Sequence, residues 1–96
     1  MINQMDKLSK LLDEHEIPYV REVNWGGNDH LCYPVFGEGR ICSVVCGKYT
    51  YGGEEGLLEI MGLLTPEEEE FDDVLGYLTA DQVFKRIKNH WESTRK

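Results

Sequence analysis

The chain of 96 residues has no apolar run near the roughly 20 residues that a membrane-spanning helix requires. It also shows no charged and then apolar leader of the kind that directs secretion. The chain has only three cysteines, and an odd number cannot all be paired in disulfides, so we expect reduced thiols. No nucleotide-binding loop, nucleophile–base pair or paired-carboxylate signature of an enzyme is recognisable. These absences predict a cytosolic protein that is not an enzyme.

Basic residues are also scarce. The chain has 10 Lys and Arg against 18 Asp and Glu, which gives a net charge of −8. Residues 65–82 carry seven acids and no base, whereas residues 83–96 carry five bases and one acid. An acidic protein repels the phosphate backbone, so direct binding of nucleic acid is disfavoured. An apolar content of 41% is ordinary for a folded chain. The length of 96 residues predicts a single domain over residues 1–96.

Hydrophobic spacing predicts an α+β fold. Met5, Leu8 and Leu12 fall on one stripe of a helix over about residues 3–15. Alternation and turn residues predict strands over 18–23, 30–36 and 40–45, the last two joined as a hairpin through residues 37–39. Helical spacing then predicts helices over 57–64, from 66 towards 78, and from 80 onwards, the last two opened by capping boxes. The expected fold is a small three-stranded antiparallel sheet, with an N-terminal helix and two to three C-terminal helices packed on it.

One cluster points to a metal. His30, Cys32, Cys42 and Cys46 lie within seventeen positions and supply the imidazole and thiolate ligands that zinc prefers. Four residues of a flat strand span about 13 Å, so Cys42 and Cys46 cannot share an ion unless a bulge bends the strand near residue 45. Otherwise the hairpin register selects one of them. Three spare ligands are available elsewhere: Asp29, His15 and His90. The alternative is that the cysteines fill the core as small apolar groups.

Two further site hypotheses stay open. A cysteine-dependent hydrolase would use Cys32 or Cys46 as the nucleophile, with one of the three histidines as its base. A binder of nucleotide signals would use basic residues near the glycine turns, where backbone amides hold phosphates. The basic residues in question are Arg21, Arg40 and Lys48.

The acidic block predicts either a solvated helix turn or an interaction face. It consists of Glu67, Glu68, Glu69, Glu70, Asp72 and Asp73. Acids favour the positive end of a helix, but six of them within seven residues exceed what capping requires. A patch of this kind could bind a basic groove of a protein that handles nucleic acid. Trp25 and Tyr51 lie beside glycines, and they either pack turns or anchor a partner.

The segments 51–70 and 74–87 carry a resemblance. They read YGGEEGLLEIMGLLTPEEEE and VLGYLTADQVFKRI. This block is similar to the C-terminal part of small proteins without assigned function that phages and prophages of streptococci and related Firmicutes carry. In size, charge and apparent origin the chain also resembles anti-CRISPR inhibitors of the type II effector nuclease. The resemblance implies a phage protein in the bacterial cytoplasm that binds and blocks a host defence protein. It carries over no site residue.

Overall fold

The computed structural model describes residues 3–23, 27–47 and 50–95 of the chain. These residues form five strands, three α-helices and one turn of 3-10 helix at Gly53–Glu55. In chain order the elements are α1 (Gln4–Glu14), β1 (Val20–Val23), β2 (Asp29–Tyr33), β3 (Cys42–Cys46), β4 (Leu58–Met61), α2 (Pro66–Glu69), β5 (Val74–Leu78) and α3 (Ala80–Ser93). The strands form one antiparallel meander in the order β1-β2-β3-β4-β5, so that β1 and β5 are its edges.

The first and last helices lie where the sequence predicts them. The side chain of Asn3 accepts hydrogen bonds from the first amides of α1, and this satisfies donors that the helix itself leaves unpaired. At the start of α3, Thr79 and Gln82 form the predicted capping box. The two helices pack against each other. Gln4 also accepts a 2.7 Å hydrogen bond from the amide of Ala80, which ties the two helix starts together.

The core lies on one face of the sheet, which we call the inner face. Successive residues of a strand point to opposite faces, so each strand contributes alternate residues to the core. Helices α1 and α3 cover this face with their own apolar stripes. The most buried core residues are Met5, Leu8, Leu12, Leu31, Tyr33, Cys42, Val44, Leu58, Ile60, Val83 and Ile87. The opposite face, the outer face, carries His30 and Cys32 of β2, Ser43 and Val45 of β3, and Glu59 and Met61 of β4.

The prediction of a three-stranded sheet with a run of C-terminal helices is wrong, because the sheet has five strands. The segment predicted as a helix over 57–64 contains β4 instead. Leu58 and Ile60 are both fully buried, which is the two-residue period of a strand. Gly56 and Gly62 bound this strand at φ angles of 76° and 94°, where a helix cannot continue. The fold is still α+β.

The helix predicted from residue 66 ends after a single turn, and the segment that follows it contains β5. Ile60 of β4 pairs with Leu75 of β5, and Leu58 pairs with Leu78. An advance of two residues along β4 therefore corresponds to an advance of three residues along β5. This irregularity is a β-bulge, and it includes Tyr77 at a φ of 59°. The bulge places Leu75 and Leu78 three residues apart on the inner side, which is also the spacing of one helical turn.

Candidate functional site

The four residues of the predicted zinc site are divided between the two faces of the sheet. His30 and Cys32 lie on the outer face of β2, where Sγ of Cys32 is 3.3 Å from Nε2 of His30. Cys42 and Cys46 lie on the inner face of β3, where Cys42 belongs to the core and Cys46 packs against it. All five residues of β3 pair in register with β2, so no bulge brings its two cysteines together. The strand geometry therefore separates the four side chains.

Burial opposes ionisation of the inner-face thiols. Burial raises the pKa of Cys42 to about 12, and the neighbouring Cys32 adds to this effect. Burial also raises the pKa of Cys46, with a further contribution from the negative charge of Asp29. Zinc binds the thiolate form, so each of these thiols would have to lose its proton first. Among residues 3–23, 27–47 and 50–95, no group of three or more His, Cys, Asp or Glu side chains could hold a metal ion. Zinc binding by these residues stays a prediction.

Of the predicted thiol–histidine pairs, the structure brings together Cys32 and His30. Nε2 of His30 also lies 2.7 Å from Oγ of Ser43, and its ring contacts that of Phe36 at a centroid distance of 5.5 Å. The relative exposure of Cys32 is 0%. A nucleophile has to reach the reacting atom of its substrate. The contact therefore favours a packing role for Cys32 over the role of a hydrolase nucleophile.

The remaining candidate ligands and bases have other partners. Each contacts a side chain of a helix or strand other than its own. The contacts are Asp29 with Arg21 (2.6 Å), the ring of His15 with that of Phe84 (4.8 Å) and Nδ1 of His90 with the hydroxyl of Tyr33 (2.8 Å). Asp29 lies beside Cys46, its pairing partner on β3, but Arg21 binds its carboxylate. His15 and His90 instead link helices to each other and to the sheet.

Arg21 serves the fold rather than a phosphate site. Its guanidinium donates two hydrogen bonds to Asp29, at 2.8 and 2.6 Å, and a third of 2.8 Å to Asp6 on α1. Forked pairing of this kind fixes both partners and uses the donors that a phosphate would need. Arg40 is exposed, and Lys48 lies outside the described residues. The predicted nucleotide site thus has one of its three cations already occupied.

The acidic block begins as α2 and continues as the turn into β5. Within it, Glu68 belongs to the fold, because Arg86 of α3 binds both of its carboxylate oxygens at 2.8 and 2.7 Å. The same carboxylate accepts the amide of Thr65 and completes the predicted capping box. The guanidinium of Arg86, followed by that amide, lowers the pKa of Glu68 to about 2. The other acids are exposed to solvent: Glu67, Glu69, Glu70, Asp72 and Asp73.

Large apolar side chains are exposed beside these acids. Phe71 is 90% exposed, and Tyr77, Tyr51 and Met61 are 59%, 55% and 47% exposed. Met61 pairs with the first residue of β5, and the carbonyl oxygen of Tyr51 accepts the amide of Tyr77 at 3.1 Å. Tyr51, Met61 and Tyr77 thus lie along β5, the edge strand, and Phe71 lies in the turn that leads into it. We call this surface the acidic–aromatic edge; it consists of Tyr51, Met61, Glu67, Glu69, Glu70, Phe71, Asp72, Asp73 and Tyr77.

The sequence identifies part of this edge. It names the acids and Tyr51, but it predicts a helix from 66 towards 78 that would include Phe71, and this helix ends at Glu69. The signal that points to exposure is local composition, because Phe71 is the only apolar residue from 67 to 73. A side chain flanked on both sides by carboxylates is hard to bury without also burying charge. Trp25, the other predicted aromatic anchor, lies outside the described residues.

In the described part of the chain, no helix is both long enough and apolar enough to cross a membrane. Among the described surfaces, the acidic–aromatic edge combines charge with exposed apolar side chains. Comparisons of the chain with protein-family models, with curated proteins and with solved structures found no match.

Proposed function

We propose that this chain is a non-enzymatic inhibitor that binds a defence nuclease in the cytoplasm of a bacterial cell. The contact surface is the acidic–aromatic edge. The observation that carries the proposal is Phe71, which is 90% exposed within a segment of six acids. Single exposed apolar residues are common, but a row of four such side chains along one edge is typical of an interface.

The two components of the edge have different roles in binding. Burying an aromatic side chain of this size in a partner pocket contributes about 1.5–3 kcal/mol, so Phe71 sets much of the affinity. Exposed carboxylates contribute less to affinity, but they speed the encounter with a basic surface and make it dependent on salt. A partner with an apolar pocket inside a basic surface therefore fits this edge.

Imitation of DNA fits the edge less well. A DNA mimic has to spread carboxylates over several steps of the phosphate backbone. Helix α2 has only four residues, which makes about one turn or 6 Å of helix. One carboxylate of this segment, that of Glu68, is also neutralised by Arg86. The edge is better suited to gripping a protein surface than to filling a nucleic-acid channel.

The type II CRISPR effector is the first partner to test. Such an effector holds its RNA–DNA duplex in a positively charged channel, so it presents the basic surfaces that the edge requires. The resemblance of residues 51–70 and 74–87 to phage-borne proteins supports a target in host defence. Bound to a basic surface beside the channel, the chain would block DNA loading or cleavage without any chemistry of its own.

Co-purification with the effector and a DNA-cleavage assay test the proposal. We expect the wild-type chain to bind and inhibit, and Phe71→Ser to weaken binding about tenfold or more. Val23→Ser is the matched control, because Val23 is 69% exposed on the opposite edge of the sheet. It should leave binding unchanged. If the wild-type chain in excess neither binds the effector nor reduces its DNA loading or cleavage, this partner is wrong.

Charge reversal tests the acidic part of the edge. Replacing Glu67, Glu69, Glu70 and Asp72 by lysine should slow association and flatten its dependence on salt. Glu68 is left in place because the fold uses it. The control carries the same charge change on exposed acids elsewhere: Glu14, Glu16, Glu22 and Glu38. Equal effects of the two variants would mean that net charge, and not this edge, drives binding.

A further inference from the structure

A second surface, on α3, differs in chemistry from the rest of this acidic chain. A groove of about 620 Å³ runs between α3 and the segment that joins β4 to α2. Leu63 and Leu78 provide its apolar lining, and none of the described residues that line it is acidic. The side chains that give it nitrogen donors are Gln82, Lys85, Arg86, Asn89 and His90.

His90 is held in position from beneath the groove. Its Nδ1 shares a 2.8 Å hydrogen bond with the hydroxyl of Tyr33, whose relative exposure is 1%. The two rings also meet edge to face at a centroid distance of 5.5 Å. With the Tyr33 hydroxyl donating to Nδ1, the neutral ring carries its proton on Nε2, which is then the nitrogen that can donate to a ligand. A buried tyrosine thus orients the imidazole, which lowers the entropy lost on binding.

The other donors are free or only partly used. The side-chain oxygen of Gln82 accepts the amide of Thr79, which leaves its NH2 group for a second partner. Within the described residues, Lys85 and Asn89 make no side-chain hydrogen bond or ion pair. Lys85 and Asn89 are four residues apart on a helix, so they lie on the same face of α3.

Glu68, which is bound to Arg86 of the groove, does not compete for these donors. Both carboxylate oxygens of Glu68 are bound by Arg86, and one of them also accepts the amide of Thr65. The pair neutralises Arg86 and presents no unpaired carboxylate oxygen. The charge left in the groove is therefore that of Lys85.

We propose that this groove binds a small organic anion, a phosphate or carboxylate group on an apolar body. Lys85, Asn89 and Nε2 of His90 hold the anionic group, and Leu63 and Leu78 pack against the apolar body. The volume of about 620 Å³ lies within the range of roughly 300–1,000 Å³ for small-molecule sites and exceeds what a bare phosphate requires. This site does not depend on the acidic–aromatic edge, and either can be right without the other.

Amide NMR spectra of the isotope-labelled chain, recorded at low ionic strength, test the site with three probes. Adenosine monophosphate and benzoate carry the two kinds of anionic group, and adenosine is the neutral control. We expect at least one anion to bind with a Kd of about 1 mM or tighter, with shifts centred on Thr65, Leu78, Lys85 and Asn89. The anionic probe that binds identifies the preferred group. No shift with either anion, or equal binding of adenosine and its monophosphate, would overturn the proposal.

Two lysine variants on the same helix sharpen the test. Lys85→Gln should weaken anion binding about tenfold, because it removes a charge-assisted hydrogen bond. Lys88→Gln changes the charge equally but does not line the groove, so it should weaken binding less than about twofold. Both positions tolerate glutamine because neither lysine contributes to the core. Equal weakening by the two variants would reveal diffuse attraction to α3 and overturn the site.

Discussion

The two faces of the sheet differ in what covers them. Helices α1 and α3 cover the inner face, where Leu31 and Ile60 are completely buried. The outer face is covered at its β2–β3 end, where Cys32 is fully buried and Phe36 contacts the ring of His30. At its β4–β5 end the outer face is open, and Met61 is 47% exposed. The chain thus separates the residues that hold the fold from those available for binding.

The largest expected effect is the difference in the rate of thiol labelling between buried and more exposed cysteines. Cys32 and Cys42 lie on opposite faces, yet their exposures are 0% and 1%. Both should react only when the chain unfolds, which at a stability of about 5 kcal/mol or more slows labelling several thousandfold or more. Cys46 is half-buried and should react first. Mass spectrometry after timed alkylation, with urea-unfolded protein as the control, measures the order. If Cys32 reacts as fast as Cys46, the outer face is not covered at this end.

The zinc content of protein purified without a tag tests whether the cysteines are divided between the two faces of the sheet. Cys32 and Cys42 cannot ligate one ion while they lie on opposite faces of a regular hairpin. We therefore expect slow labelling of these thiols without stoichiometric zinc. About one zinc per chain, lost in a Cys32→Ala variant, would contradict the register of β2 and β3 and confirm the predicted zinc site.

Two neighbouring residues of β4 compare the faces directly. Ile60→Ala removes a fully buried side chain from the inner face and should lower the free energy of unfolding by about 3 kcal/mol. Met61→Ala, one position along on the outer face, should change it by no more than about 0.5 kcal/mol. Urea denaturation measures both, and equal losses would mean that the outer face is also packed at this end. Met61→Ala should instead reduce binding of the partner.

The sequence predicts the first half of the fold and the last helix well. Strands β1, β2 and β3 and helices α1 and α3 have spacings that match one secondary structure, with turns or capping boxes at their ends. The capping box of Thr65 and Glu68 is also confirmed, but it opens a helix of one turn. Caps show where a helix begins, and they contain no information about its length.

The sequence pattern does not predict strands β4 and β5, and the reason is physical. Four-residue β4 is too short to show alternation, and Leu57, Ile60, Met61 and Leu64 imitate a helical stripe. In β5 the bulge inserts a residue between Leu75 and Leu78, which turns two-residue alternation into a three-residue step. Tertiary pairing decides both cases. The predicted zinc ligands are divided between the two faces for a related reason, because the register of a hairpin selects which side chains share a face.

The smallest expected effect concerns the ion pair of Arg86 and Glu68. It links α2, at the open end of the sheet, to α3, which covers the inner face. Arg86 of α3 lowers the pKa of Glu68 from 4.5 to about 2, so the pair stabilises the folded state while Glu68 is ionised. Glu68→Gln keeps the capping box, because glutamine also serves at this position, and removes only the charge. Both partners are partly exposed, so we expect a loss of about 1 kcal/mol at neutral pH.

The pH dependence identifies this pair as the cause of that loss. A carboxyl with a depressed pKa contributes its full stabilisation above the unfolded-state value of 4.5 and loses it as the pH falls towards about 2. The difference between wild type and Glu68→Gln should therefore be constant above this window and vanish through it. Glu69→Gln is the matched control, because its exposed carboxylate has no ion-pair partner in the described residues and should give no difference at any pH. Urea denaturation across this pH range measures all three proteins. A loss that persists below the window would mean that glutamine disturbs the turn itself, and the acidic–aromatic edge would then not be anchored to α3 by charge.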